Sequence, residues 1–121
     1  MAKIMNKDKD VDLELLRNYA CGIKTPLHVA WTSRYMAQIL LNIDNEYMPE
    51  AETWIRKAIE ADTRNGMIFH LGKDYAIYAE LFRRKADKLK SKENLNKAID
   101  IFKECGAAGW VEKYKKELAK F

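Results

Sequence analysis

Two histidines are the residues of this chain best suited to bind a metal or move a proton, and they stand in matching settings. Leu27-His28-Val29-Ala30 and Phe69-His70-Leu71-Gly72 lie forty-two residues apart, and each reads bulky apolar, histidine, aliphatic, small. Two imidazoles sharing one ion must each come within about 2 Å of it, with further ligands completing the shell. Neither histidine has a cysteine or a carboxylate pair at ligand spacing. Cys21 and Cys105 are 84 residues apart, which is neither a zinc spacing nor a disulfide framework, and both read as reduced core thiols. The run from Gly66 through Gly72 to Lys73 has the outline of a phosphate loop and fails in detail. Five residues separate its glycines where four are needed, and Asp74 stands where a hydroxyl would meet magnesium. No G-x-S-x-G, H-E-x-x-H or C-x-x-C occurs. Asp12, Glu14, Glu50 and Glu52 fall at expected helix N-termini, where the helix dipole accounts for them. The expectation is a protein that is no enzyme and carries neither metal nor cofactor.

The composition agrees with that modest chemistry. With 121 residues the chain has the length of one domain with a core of its own. Its 48% hydrophobic and 33% charged residues are ordinary for a globular protein. Two prolines and five glycines leave room for long helices. No apolar run approaches the roughly 18 to 20 residues of a membrane span, and MAKIMNKDKD lacks the apolar stretch of a signal peptide. A cytoplasmic protein with no membrane contact is expected. The net charge of +4, with acids interrupting nearly every basic run, falls short of a nucleic-acid signature.

Apolar residues recur at helical spacing almost throughout. Val11, Leu15 and Tyr19 share one face of a helix ending near Gly22. Thr25-Pro26 opens a second, with Thr25 as N-cap, that runs to about Ile43 before Asp44-Asn45. Pro49 starts a third, carrying Ala51, Trp54, Ile55, Ala58 and Ile59 inward. Asn65-Gly66 precedes a fourth and longest, whose seam is Ile68, Leu71, Tyr75, Tyr78, Phe82 and Leu89. Ser91 caps a fifth, with Leu95, Ala98, Ile99 and Phe102 inward and Cys105-Gly106 as its end. A sixth begins near Ala108 and carries Trp110, Val111, Tyr114, Leu118 and Phe121. The fold class expected is all-α, with about six helices.

The helices repeat. Lys57-Ala58-Ile59-Glu60 returns forty residues later as Lys97-Ala98-Ile99-Asp100, and Ile55 matches Leu95 in the same register. The preceding helices align at forty-two: His28 with His70, Val29 with Leu71, Ala37 with Ala79, Leu40 with Phe82. A two-residue difference in turn length reconciles the offsets. The histidines are then one packed position near a helix start written twice, each ring bonded to backbone or water. One hairpin cannot bury its apolar stripe alone, so a stack of antiparallel hairpins is expected. Small residues at Ala37, Ala51, Ala58, Ala79 and Ala98 let the axes approach.

Ala51, Ile55 and Ala58, echoed by Ser91, Leu95 and Ala98, resemble the second-helix pattern of a tetratricopeptide repeat (TPR). Tyr75, Tyr78, Ala79 and Phe82 resemble that family's first-helix pattern, with nine residues from Phe82 to Ser91. The closing stretch is similar to the C-terminal ends of repeat domains in large bacterial signalling ATPases, nucleotide cyclases and transcription activators. The period of about 40 rather than 34, and Ser33 and Met36 in the first repeat, depart from the family pattern. The resemblance implies a TPR-like α-solenoid: a tail over 1–8, then one domain over 9–121. Within it fall a half repeat (9–22), repeats at 25–63 and 66–105, and a capping helix at 108–121.

The resemblance also implies a concave groove lined by the first helix of each pair, accepting a peptide or helix of a protein partner. In that register Lys73, Ala76, Glu80 and Arg83 line it from the second repeat, and Trp31, Arg34, Gln38 and Leu41 from the first. An exposed Trp31 beside Arg34, Lys73 and Arg83 would suit an acidic-apolar ligand; the alternative is a core Trp31. The helix at 9–22 lacks a partner of its own, so a homodimer through it is a further expectation. The competing function is a small nucleic-acid-binding regulator using the basic face around 83–97.

Overall fold

The computed structural model describes Asn18 and residues 26–120, with side chains given from Val29 onward besides Asn18. Apart from Asn18, the helix expected at 9–22, with Cys21, the Thr25 cap, the His28 side chain and the expected dimer face, therefore lies outside the described residues. The described chain is helical and holds no strand. Its elements are α1 (Pro26–Ile43), a 3-10 turn (Asn45–Tyr47), α2 (Met48–Arg64), α3 (Ile68–Arg84), α4 (Lys88–Glu104) and α5 (Ala108–Ala119). Asp44 halts α1: its carboxylate accepts a hydrogen bond from Glu46 N at 3.1 Å and starts the 3-10 turn. α2 takes Pro49 in its first turn, where a missing N–H costs nothing.

From Met48 on, helices begin every twenty residues, at Met48, Ile68, Lys88 and Ala108. The three connections between them share one hydrogen-bond pattern. Met67 N, Asp87 N and Ala107 N each donate at 2.9 Å to the carbonyl five residues back, at Asp62, Phe82 and Phe102. The preceding N–H of Gly66, Ala86 and Gly106 donates three residues back, at 3.1–3.3 Å. This is the Schellman closure, and it needs one residue in the left-handed region. Gly66 (φ 68°) and Gly106 (φ 70°) adopt it freely, whereas Ala86 holds φ 61° with a methyl group in the way. The 3-10 turn between α1 and α2 is what lengthens the first repeat and gives the forty-two-residue offset.

Ala86 is also where the sequence reading fails. Without a glycine the α3–α4 turn is silent, and the expected seam ran straight through it to Leu89. In the structure α3 stops at Arg84, no longer than α2 or α4, and Leu89 is 69% exposed. Asp87, not Ser91, caps α4, accepting from Lys90 N at 3.2 Å. Ser91 sits one turn inside, buried, and donates its hydroxyl to Ala79 O at 2.9 Å. Two other core assignments are corrected. Ile68 is largely exposed at the start of α3, and Cys105 is an exposed thiol in the α4–α5 turn.

Packing follows the order of the chain. α1 packs most extensively on α2 and α3 on α4, α2 meets α3, α4 meets α5, and α1 also reaches α3. One core cluster joins Met36 and Leu40 of α1, Trp54 and Ile55 of α2, and Leu81 and Phe82 of α3. The other joins Ala76 and Ala79 of α3, Leu95, Ile99 and Phe102 of α4, and Val111 of α5. The fully buried Ala37, Ala51, Ala58 and Ala98 sit where helices approach closely. At Gly72 a Cβ would stand 2.8 Å from Phe102 Cε1.

Candidate functional site

α1, α3 and α5 together wall a cleft of about 260 Å³. α1 contributes Trp31, Arg34, Tyr35 and Gln38, α3 contributes Lys73 and Ile77, and α5 adds Trp110, Lys113 and Tyr114. Four residues expected in a groove thus meet in one place. Trp31 is no core residue: it is 55% exposed and Tyr35 46%, their rings stacked at 5.6 Å and 4°. Lys73 Nζ lies 4.9 Å from the centroid of Phe69 and 5.3 Å from that of Trp110. Lys113 Nζ lies 5.1 Å from the same indole and 5.3 Å from Tyr114. Both ammoniums rest on aromatic faces, with no carboxylate partner among the described residues. Burial, and then the charge of Arg34, push the Lys73 pKa below its ordinary value.

Glu80 and Arg83 line an adjoining cavity of about 290 Å³ that shares Ile77, Lys113 and Tyr114 with the first. They are occupied with each other: Arg83 Nε and Arg84 Nε each donate to Glu80 at 2.8 Å. Burial raises the Glu80 pKa, but these hydrogen bonds outweigh it and hold the carboxylate below its usual range. One end of the groove is therefore positive and the other internally neutralised. Leu41, read as a neighbouring groove position, is buried in the core instead.

Arg34 touches the cleft yet is only 8% exposed, so it is no free groove cation. Its Nη1 reaches Asp74 Oδ1 at 3.3 Å, Asp62 Oδ2 at 3.9 Å and His70 O at 3.4 Å. Its Nη2 lies 3.5 Å from His70 Nδ1. The ring of His70, expected to bond to backbone or water, thus partners a guanidinium. Burial and the Arg34 charge lower the His70 pKa, with Asp62 pulling the other way. Asp62 is 2% exposed and Asp74 1%. Burial, a hydrogen bond to Asp62 and that residue's charge push Asp74 up to about 9, against the opposing pull of Arg34. Trp31, Asp62, Met67 and His70 frame a smaller cavity of about 180 Å³ beside this junction.

The basic segment is largely engaged. Arg84 donates to Leu41 O as well as Glu80, and Lys85 pairs with Glu52 at 3.6 Å. Lys90 lies over Phe82 at 5.5 Å. Glu52 also accepts from Tyr78 Oη at 2.7 Å and Arg56 at 3.0 Å. Burial alone would raise its pKa, but these donors and the Lys85 charge win and lower it.

Sequence reasoning missed the α5 contribution, because Trp110 and Tyr114 fit a core stripe and here serve core and cleft together. It also missed Asp62, which carries no motif. Among the described residues no three His, Cys, Asp or Glu side chains converge to hold a metal, and no helix is long and apolar enough to cross a membrane. No protein-family model matches the chain, and neither a curated protein nor a solved structure matches it.

Proposed function

We propose that this chain is a non-catalytic protein-interaction module, a TPR-like stack of antiparallel helix hairpins working in the cytoplasm. Its cleft takes an extended acidic-apolar segment of a partner protein. The observation that carries the reading is the exposed Trp31–Tyr35 stack beside Lys73 and Lys113, two ammoniums held on rings. Rigid aromatics give contact area at low entropic cost, and cations with no carboxylate partner among the described residues steer an acidic partner. The twenty-residue rhythm of helices and the repeated closure support the stack. The nucleic-acid reading loses support from the ion pairs of Arg83, Arg84 and Lys85.

The test is a fluorescence-anisotropy titration against a library of acidic-apolar peptides at moderate salt. Trp31→Ala and Lys73→Ala/Lys113→Ala should each weaken the tightest binder at least tenfold, while Arg83→Glu/Arg84→Glu should not. Peptide binding indifferent to the first two variants would overturn the groove. Steeply salt-dependent binding to single-stranded DNA or RNA, abolished by Arg83→Glu/Arg84→Glu, would favour the regulator.

A further inference from the structure

Three helices meet at one buried ionic junction whose charges, among the described residues, do not balance. α2 brings Asp62 and α3 brings Asp74, both at least 98% buried, and α1 brings one guanidinium, Arg34. Among the described residues, the other charged or titratable groups facing the junction are His70 and Lys73, both on α3, and α4 adds none to those acting on Asp74. With both carboxylates ionised, Asp62 Oδ2 and Asp74 Oδ2 are buried acceptors with no hydrogen-bond donor. Arg34 Nη1 stops 3.9 Å from Asp62 Oδ2 and is already committed to Asp74 Oδ1 and His70 O. A buried unpaired charge is among the costliest features a core can hold. One proton between the two carboxyls removes both deficits: it supplies the missing donor and leaves one negative charge against one positive.

We propose that Asp62 and Asp74 hold a single shared proton at neutral pH, and that this proton with Arg34 is a latch fastening α1 to α2 and α3 beside Trp31. Losing it on alkalinisation leaves two buried carboxylates on one guanidinium and releases α1, carrying the Trp31–Tyr35 wall with it. The upward displacement of the Asp74 pKa agrees with this arrangement. The latch stands independently of the groove's ligand, so peptide binding is not its test.

Carboxyl-carbon NMR of the full chain, followed from pH 5 to 11, reads the proton directly. One of the two buried carboxyls should remain protonated at pH 7 and titrate only in the alkaline range. The Trp31 indole resonance should shift with the same midpoint while far-UV circular dichroism retains its helical signal. Asp74→Asn, and independently Asp62→Asn, should abolish both transitions, since an amide supplies the donor permanently. Two variants keep the test open if one fails to fold. Both carboxyls titrating near the usual carboxylate range, or an alkaline Trp31 shift that survives in both variants, would overturn the latch.

Discussion

Ala86 occupies a place that its two counterparts give to glycine, and replacing it isolates the worth of one backbone conformation. At φ 61° an alanine carries about 1–2 kcal/mol of steric cost that glycine avoids. Glycine in turn loses about 0.4–1 kcal/mol more chain entropy on folding. Ala86→Gly should therefore stabilise the protein by about 0.5–1 kcal/mol, raising the melting temperature by a few degrees. The reverse substitutions calibrate it. A Cβ at Gly66 or Gly106 meets nothing within 4 Å, so Gly66→Ala and Gly106→Ala test the backbone without a clash. Each should cost about what Ala86→Gly gains. Urea unfolding followed by circular dichroism, with equal m-values across the set, is the assay. A neutral or destabilised Ala86→Gly, beside destabilised glycine-to-alanine variants, would show that the three turns are not energetically equivalent.

Gly72→Ala places a methyl against the fully buried Phe102 ring and Ile101 Cγ2, at 2.8–3.2 Å, and should cost about 1–3 kcal/mol in the same assay. Ser91→Ala removes the buried hydroxyl that ties α4 to Ala79 O and should cost about 1 kcal/mol, with the fold retained by NMR. Arg34→Ala leaves buried acid without its guanidinium and should cost about 3–5 kcal/mol, so a binding defect in that variant says nothing of the groove. For Asp74, raised from 3.8 to about 9, the contribution to stability is complete below the lower value, declines as pH rises between the two and is gone once pH has climbed through the upper. Wild-type stability should thus fall as pH rises through the neutral and mildly alkaline range, and Asp74→Asn should flatten that slope.

What could be read in advance followed the punctuation of the chain. Pro26 and Asp44-Asn45 bound α1, and Gly66 and Gly106 mark two of the three equivalent turns. Lys85-Ala86-Asp87 carries no such mark, so the apolar phase ran past Arg84 and drew Leu89 inward. The cleft's lining was legible in part on α1 and α3, where the register set Trp31, Gln38 and Lys73 beside the core positions. It was illegible on α5, because spacing cannot tell a ring that fills a core from one that also walls a cleft. Arg34 and Asp74 are forty residues apart, and only the folded chain reveals that a surface-looking arginine has carboxylates waiting for it.

Packing that runs from each helix mainly to the next has a kinetic meaning. Contacts close over one or two helix lengths, so little chain must be threaded or looped before a contact rewards it, and such topologies assemble quickly. Order can begin at either pair, α1 with α2 or α3 with α4, and spread outward like a zip fastener. The α1–α3 ties, Arg34 to Asp74 and Arg84 to Leu41 O, join residues 40 and 43 apart, the longest separations among the side-chain hydrogen bonds of the described residues, which makes them late stitches in assembly and early ones to slip under stress.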